Sequence, residues 1–210
     1  MKPQLLLHIC CAPCATHVVE LLGLDFEVYG FFYNPNIHPE EEYRRRLEAM
    51  RRHGKAVGLK WEEGPYEPGR WFSFVEGYEE EPEGGARCPI CYRLRLEEAA
   101  RRAAEVGFGY FATTLTVGPT KKAGVINPIG RELGFKYGLT FVGGDFKKED
   151  GFKHSVRLSR KFGLYRQDYC GCIFSLNGLS GRSAGVRPAN PDLARSGARV
   201  GHSLGFHLFL

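Results

Sequence analysis

The residues of this chain whose types and spacing most directly indicate chemistry are its cysteines. Seven of them fall in three short clusters along 210 residues: Cys10, Cys11 and Cys14; Cys88 and Cys91; Cys170 and Cys172. Four thiolates complete the ligand set of a tetrahedral zinc ion or of a [4Fe–4S] cluster. Because seven cysteines exceed one such site by three, the pattern predicts a second metal ion or reactive thiols beside the first site.

Two simpler interpretations each explain part of the cysteine pattern. Structural zinc would use four of the cysteines and leave three thiols without a role. A thioredoxin-like redox motif would use only the C-x-x-C step at residues 88–91 and leave two clusters unexplained. Spacing alone leaves both interpretations open.

The spacing within the clusters suggests how two centres could share the thiols. Neighbouring side chains of an extended backbone point apart, so Cys10 and Cys11 could serve two adjacent centres. One consistent division gives the iron–sulfur cluster four ligands: Cys11, Cys14, Cys88 and Cys91. The second ion would then bind Cys10, Cys170, Cys172 and Asp145. Asp145 is the preferred non-cysteine ligand because it follows a predicted strand and a Gly-Gly pair.

The predicted elements place these clusters where strands end or helices begin. Apolar runs predict strands at residues 5–9, 26–33, 59–61, 110–115 and 139–142. Helices are predicted from about residue 15 and at residues 39–57, 89–106, 119–137 and 147–162, with a loop or short helical excursion at 63–87. This alternation predicts an α/β fold with a parallel sheet. Ligands of such sheets bind beyond the carboxyl ends of the strands, so the clusters should converge on one site.

Composition sets limits on compartment and partner. No apolar run approaches the roughly 18 residues needed to span a bilayer, and no secretory signal is recognisable. We therefore expect a cytoplasmic protein without a membrane partner, where clustered thiols are more often metal ligands or catalysts than disulfides. The net charge of +5 permits a polyanionic partner without requiring one. Residues 1–177 are predicted to form one catalytic domain, and residues 178–210, rich in Gly, Ser, Arg and Pro, a disordered tail.

Five motifs, taken together and in order, resemble one known family. They are H-x-C-C-A-P-C at residues 8–14, Y-N-P-N-I-H-P at 33–39, R-C-P-I-C at 87–91, T-T-L at 113–115 and Y-R-Q-D-Y-C-G-C at 165–172. The combination is similar to the QueH-type epoxyqueuosine reductases. The resemblance extends from about residue 5 to residue 175 and does not cover the tail.

The resemblance implies a fold, cofactors and a reaction. The fold would be a Rossmann-like (HUP-type) parallel sheet with helices on both faces. The cofactors would be a [4Fe–4S] cluster and an adjacent mononuclear metal, iron, with no cobalamin. The substrate would be tRNA with a GUN anticodon that carries epoxyqueuosine at the wobble position. An external electron donor would drive removal of the epoxide oxygen as water, which gives queuosine in the last step of its biosynthesis.

Several other residues are candidates for the same site. Asp145, Tyr169 and His8 are the candidate catalytic residues, and Tyr169, His8 or a metal-bound water could supply the proton. The candidate substrate-binding residues are Tyr33, Asn34, Asn36, Thr113, Thr114, Lys121, Arg166 and Gln167. Some of them could instead have a purely structural role. Tyr33, Asn34 and Asn36 could simply form the turn around Pro35, and Thr113 and Thr114 could be ordinary β-branched strand residues. The basic residues between positions 121 and 166 favour a tRNA surface over a merely solvated face.

Two other functions remain as alternatives. A tRNA-thiolation-type enzyme of the same fold would need a glycine-rich pyrophosphate loop after the first strand, and residues 10–14 contain no glycine. A zinc- or iron–sulfur-containing RNA-binding protein without catalysis is the other alternative. Anaerobic purification separates zinc from iron–sulfur, because only the latter is coloured.

Overall fold

The computed structural model describes residues 1–180, and it has five strands and seven α-helices there. The strands are β1 Gln4–His8, β2 Glu27–Phe32, β3 Lys60–Glu63, β4 Tyr110–Thr113 and β5 Thr140–Phe141. The helices are α1 Ala12–Leu22, α2 Glu40–Val57, α3 Pro68–Val75, α4 Arg87–Glu105, α5 Ala123–Tyr137, α6 Gly151–Lys161 and α7 Ile173–Ser180. The tail expected from residue 178 begins within α7, and its residues 181–210 lie outside the described residues.

The strands form one parallel sheet in the order β3-β2-β1-β4-β5. Its central strand β1 is apolar on both sides, as parallel strands covered on both faces are, and Leu5, Leu6 and Leu7 are fully buried. Leu5 and Leu7 pack in a core with residues of α1, α2 and α6. Leu6 packs on the other face with residues of α4 and α5. The predicted α/β fold with helices on both faces is confirmed.

The helix boundaries differ from the predicted ones where local turns compete with the helix. The stretch predicted as a loop or helical excursion contains α3, whose Trp71 and Val75 are buried in a small third core with Leu94 of α4. A 3₁₀ helix occupies Leu115–Val117, so α5 begins at Ala123 rather than at residue 119. A turn closed by the Lys148 N–H on the Asp145 carbonyl delays the start of α6 to Gly151. Helix α7 was not predicted.

The topology places the loop after β1 at the centre of one sheet edge. Strand order reverses between β1 and β4, since β2 and β3 extend the sheet to one side of β1 and β4 and β5 to the other. Such a switch point leaves a crevice beyond the carboxyl ends of the strands. The first cysteine cluster follows β1 directly into that crevice. Within residues 1–180, no helix is both long and apolar enough to cross a membrane.

Candidate metal centre

The first cysteine cluster forms a compact group of three sulfurs where β1 gives way to α1. The ligand atoms of Cys10, Cys11 and Cys14 lie within 4.8 Å of one another, and the Sγ atoms of Cys10 and Cys11 are 3.8 Å apart. Cys11 has extended backbone at the start of α1, and the turn into the helix brings Cys14 back towards it. We call these three residues the cysteine triad. The sulfurs of Cys10 and Cys11 thus lie together, whereas the expectation that they serve separate centres assumed that they point apart.

Hydrogen bonds favour a thiolate at Cys10. The neighbouring thiols of Cys11 and Cys14 lower the pKa of Cys10 well below its ordinary value. The hydroxyl of Thr114 also donates to the Cys10 Sγ, at 3.2 Å, and accepts from the Cys10 N–H, at 3.0 Å. The side-chain amide of Gln167 donates to the Cys11 Sγ at 2.9 Å. The triad is thus oriented by protein groups that stabilise negative charge on sulfur.

The other four cysteines line a second cavity, and we call them the cysteine quartet. Cys88 and Cys91 lie in the first turn of α4, while Cys170 and Cys172 precede α7. Cys170 is the acidic thiol of the quartet: a hydrogen bond with Cys172, and then the charge of Lys121, lower its pKa to about 5. The quartet is more widely spaced than the triad. Among the described residues, the triad is the sole group of three ligands within 4.8 Å.

Helix α2 holds the loop that carries Cys170. The guanidinium of Arg46 is 2% exposed, pairs with Glu42 at 2.7 Å, and donates to the carbonyls of Tyr169 at 3.1 Å and Cys170 at 3.2 Å. The His38 N–H also donates to the carbonyl of Gly171, at 2.8 Å. Sequence reasoning missed Arg46 because it stands in a run of arginines. The signal is its position on the buried face of α2, beside Leu47 and Met50.

The cavity of the quartet is unusually rich in buried positive charge. Arg87 is 2% exposed, Arg95 is 4% exposed, and the side chain of Lys121 is 12% exposed. Lys121 pairs with Glu83 at 2.8 Å, whereas neither Arg87 nor Arg95 has a carboxylate partner among the described residues. Buried charges without a counter-ion are costly. The cavity is therefore suited to an anionic group.

A cleft joins the triad and the quartet. Its walls include Cys14 of the triad and Cys170 of the quartet, and Lys121 borders both the cleft and the quartet's cavity. Arg166, Gln167 and Tyr169 line it as well. Helix α6 contributes Phe152 and Ser155 to the same wall. The first and third cysteine clusters thus face a common cleft through Cys14 and Cys170. Cys88 and Cys91 of the second cluster line the neighbouring cavity, which shares Lys121 and Cys170 with the cleft.

Tyr169 lines the cleft but its hydroxyl is engaged. It donates to the carbonyl of His38, and the guanidinium of Arg46 lies 5.1 Å from the centre of its ring. Burial raises the pKa of Tyr169 to about 12, so the hydroxyl keeps its proton near neutral pH. Of the predicted proton sources, Tyr169 is the one that the structure places in the cleft.

His8 lies beneath the site rather than in the cleft. It is fully buried; its Nδ1 contacts the Thr113 hydroxyl at 2.8 Å and its Nε2 the carbonyl of Tyr33 at 3.1 Å. Burial, with the charge of Arg95, lowers the pKa of His8 to about 3, so its ring is neutral. His8 and Thr113 are register partners in β1 and β4. The placement of His8 indicates a structural role, whereas the sequence suggested a role as a proton source.

Tyr33 and Asn34 are also buried away from the cleft. The Tyr33 hydroxyl accepts from Arg70 at 3.2 Å, and the Asn34 side chain bonds the Ile9 carbonyl and Arg95. Asn36 lines the quartet's cavity, and its Oδ1 has no hydrogen-bond partner among the described residues. Of the predicted substrate-binding residues, only Lys121, Arg166 and Gln167 line the cleft; Thr113 and Thr114 support β1 and Cys10 instead.

Asp145 follows β5 as expected but stays apart from the sulfurs. Its carboxylate lies 2.8 Å from the Lys147 ammonium, and it does not join the triad's group of ligand atoms. The predicted set of Cys10, Cys170, Cys172 and Asp145 is therefore not gathered in the described structure. Lys147 also donates to the carbonyl of Lys121, which ties the Asp145 loop to the cleft wall.

The fold and site define a Rossmann-like α/β protein whose sheet edge carries a thiol-rich site able to bind metal. A family model described as epoxyqueuosine reductase QueH matches residues 5–178. The chain belongs to this epoxyqueuosine reductase family, as the motif resemblance predicted.

Curated relatives agree with this assignment, and a solved structure shares the fold. Relatives with that description include one from Streptococcus pyogenes serotype M1, 38% identical over 181 residues, covering 83% of this chain and 71% of the relative. Another, from Thermotoga maritima, is 39% identical over 175 residues, covering 81% and 89%. A crystal structure described as a predicted subunit of tRNA methyltransferase from Methanocaldococcus jannaschii shares the fold at 13% identity. Its TM-score is 0.51, with 73% of this chain and 76% of that chain covered.

Proposed function

We propose that this chain reduces epoxyqueuosine at the wobble position of tRNA with a GUN anticodon to queuosine. The observation that carries the proposal is the single cleft that receives Cys14 from the triad and Cys170 from the quartet. A substrate in that cleft would meet two differently built thiol groups at once. Family membership supplies the reaction class, an oxidoreductase acting on a tRNA nucleoside.

The two groups of sulfurs fit different metal centres. A metal–sulfur bond of about 2.3 Å at tetrahedral angles separates two sulfurs by about 3.8 Å, which is the spacing of Cys10 and Cys11. The triad therefore fits one metal ion, with a fourth position left open. The more widely spaced quartet, among buried cations, fits a larger anionic group such as a [4Fe–4S] cluster. This division replaces the one expected from the sequence, and we propose iron as the triad's metal.

The reaction balances with an external donor. Two electrons and two protons convert the epoxide to an alkene and water, as both C–O bonds break and a C=C bond forms. Bound together, an iron–sulfur cluster and an open-site metal supply single electrons and a Lewis acid for the oxygen. We propose that the donor is a low-potential one-electron carrier in the cytoplasm and that cobalamin is not used.

The chain's own residues bind and orient the nucleoside. Arg166 and Gln167 line the cleft beside the triad. The Gln167 amide nitrogen donates to the Cys11 Sγ, and its buried Oε1 has no hydrogen-bond partner among residues 1–180. Lys121, paired with Glu83, places an ammonium at the cleft wall, and the Tyr169 hydroxyl keeps its proton while it donates to the His38 carbonyl. The expected release of the epoxide oxygen as water needs such groups close to the reacting bond.

The tRNA backbone would approach over α6. This helix forms part of the cleft wall through Phe152 and Ser155 and carries exposed basic side chains beyond it. Those side chains, with one in the preceding loop, are Lys148, Lys153, Arg157, Arg160 and Lys161. A basic surface next to a cleft suits an anticodon loop, since phosphate contacts position the nucleic acid and an unstacked base enters the pocket.

The test is turnover of tRNA that carries epoxyqueuosine. Protein purified and loaded with iron and sulfide under anaerobic conditions is incubated with this tRNA and dithionite, and the digested nucleosides are analysed by mass spectrometry. We expect queuosine to accumulate. No queuosine from protein that holds its iron–sulfur cluster would refute the substrate assignment, and a colourless protein that binds zinc stoichiometrically would refute the reductase itself.

A further inference from the structure

Arg95 has a position on α4 that its sequence context does not reveal. It lies one helical turn after Cys91, and residues four apart share a helix face, so it enters the same cavity as the quartet. Its side chain is nine-tenths or more buried, with the residue 4% exposed. A guanidinium is always charged near neutral pH, so this burial encloses a full positive charge.

The hydrogen bonds of Arg95 leave this charge without a neutralising partner. Its Nη2 donates to the Asn34 Oδ1 at 2.5 Å, a neutral acceptor, while its Nε has no partner among residues 1–180. Of the other enclosed cations, Arg46 pairs with Glu42 and Lys121 with Glu83. Arg87 has no carboxylate partner among the described residues but donates to the carbonyls of Tyr78 and Glu79. Arg95 is thus a cation with a free donor in a cavity lined by four thiols.

Asn34 fixes where the charge sits. Its side-chain nitrogen donates to the Ile9 carbonyl at 2.9 Å, one residue before the triad, and its oxygen receives the guanidinium. The same asparagine therefore connects the quartet's cavity to the loop of the triad. Asn34 is 0% exposed, so water does not compete for this contact.

We propose that Arg95 is the counter-cation of the thiolate-bound centre in the quartet and sets its reduction potential. The inference rests on the proposed function, which places an anionic cluster there. Adding an electron makes that centre more negative, and a fixed positive charge in a poorly screened interior favours the more negative state. Arg95 is a positioning residue, since it acts through the cluster and not on the substrate.

The inference is tested by anaerobic redox titration of the iron-loaded full-length protein without tRNA, followed by visible absorption and electron paramagnetic resonance. In Arg95→Met we expect the equilibrium for one-electron reduction to shift about tenfold against reduction, which corresponds to about 59 mV towards more negative potential. Arg95→Lys, which keeps the charge, should recover part of the shift. Arg93→Met, on the same helix but paired outward with Glu132, should leave the potential unchanged.

A second variant, Asn34→Asp, tests the same inference if Arg95→Met does not fold or does not bind iron. Asn34→Asp keeps the side-chain shape and places a carboxylate against the guanidinium, so it should move the potential in the same direction. If iron-loaded Arg95→Met or Asn34→Asp protein has the wild-type reduction potential, the role assigned to Arg95 is refuted. The proposed reductase function is not affected by that result. Wild-type protein that binds zinc and no iron would overturn the reductase, and with it this inference.

Discussion

Removing the guanidinium of Arg46 should destabilise the domain strongly, although the residue lies in a run of arginines. In Arg46→Met, Glu42 keeps a side chain only 6% exposed but loses its buried partner at 2.7 Å. Breaking one side of a buried ion pair costs about 3–5 kcal/mol. The carbonyls of Tyr169 and Cys170 also lose their charged donors. The Tyr165 hydroxyl still donates to Glu42 at 2.8 Å, and the exposed Arg45 guanidinium still lies 3.5 Å from the Glu42 carboxylate, so we expect a loss of about 3–4 kcal/mol.

The same helix offers a matched control. Arg44 and Glu40 form an ion pair with the same four-residue spacing, but their side chains are 73% and 54% exposed. Arg44→Met should therefore cost less than about 1 kcal/mol. Urea unfolding of the reduced, iron-free variants, followed by circular dichroism, gives both values. The double change Glu42→Gln with Arg46→Met should recover part of the loss, because it removes the charge of a buried carboxylate that has lost its buried partner.

The reasoning would be refuted by equal losses in Arg46→Met and Arg44→Met. Such a result would mean that the carbonyls of Tyr169 and Cys170 find other donors, and that burial of the pair contributes little to the free energy of unfolding. A loss of about 3–4 kcal/mol is a large part of the roughly 5–15 kcal/mol that stabilises a typical domain. The difference between the two variants is therefore well within reach of the measurement.

Three further predictions concern the metals, pH and tRNA. Cys10→Ser should lose about one iron atom per chain and keep the visible absorption, whereas Cys91→Ser should lose the absorption; the opposite pattern would refute the division between triad and quartet. His53 is 1% exposed and has no hydrogen-bond partner among the described residues, and burial lowers its pKa. As the pH falls, the unfolded chain therefore binds a proton at His53 before the folded chain does, and the free energy of unfolding should fall below about pH 6.5. His53→Phe should flatten that part of the pH profile of urea unfolding. An unchanged profile would contradict the role given to His53. Lys148→Ala should weaken tRNA binding and lower the slope of log affinity against log salt by about 1 in a filter-binding titration, while Lys60→Ala, at the other edge of the sheet, should leave the slope as it is.

The sequence predicted the framework of the site because the framework depends on local signals. The apolar run of β1 and the alternation of strands and helices sufficed for a parallel sheet with its cysteines at the carboxyl edge. Lys121, Arg166 and Gln167, which the sequence singles out because they lie close to cysteines or follow strands, line the cleft, and their part in substrate binding stays a prediction. Each of these statements needs only neighbours in the chain.

The sequence could not predict which side chains face the cleft and which support it. His8 and Thr113 lie in adjacent strands, and whether His8 faces solvent or a strand partner depends on sheet register. The division of the cysteines assumed that the side chains of Cys10 and Cys11 point apart, whereas their Sγ atoms lie 3.8 Å from each other although Cys11 has extended backbone. Arg46 and Arg95 were missed because the burial of a charge depends on long-range packing.

The two cysteine groups differ in how much of the chain must be in place before they exist. Cys10 and Cys14 are four residues apart, so the triad can form as soon as β1 and α1 have met. About 80 residues separate Cys91 from Cys170, so the quartet forms only when the end of the domain has docked against α4. A metal centre that links residues so far apart would act as a cross-link. In a simple loop-closure model, such a cross-link lowers the entropy of the unfolded chain and so stabilises the folded state by about 4–5 kcal/mol. Iron loading would then be the closing step of folding, and the segment from Tyr165 to α7 would be the first to detach when iron is lost.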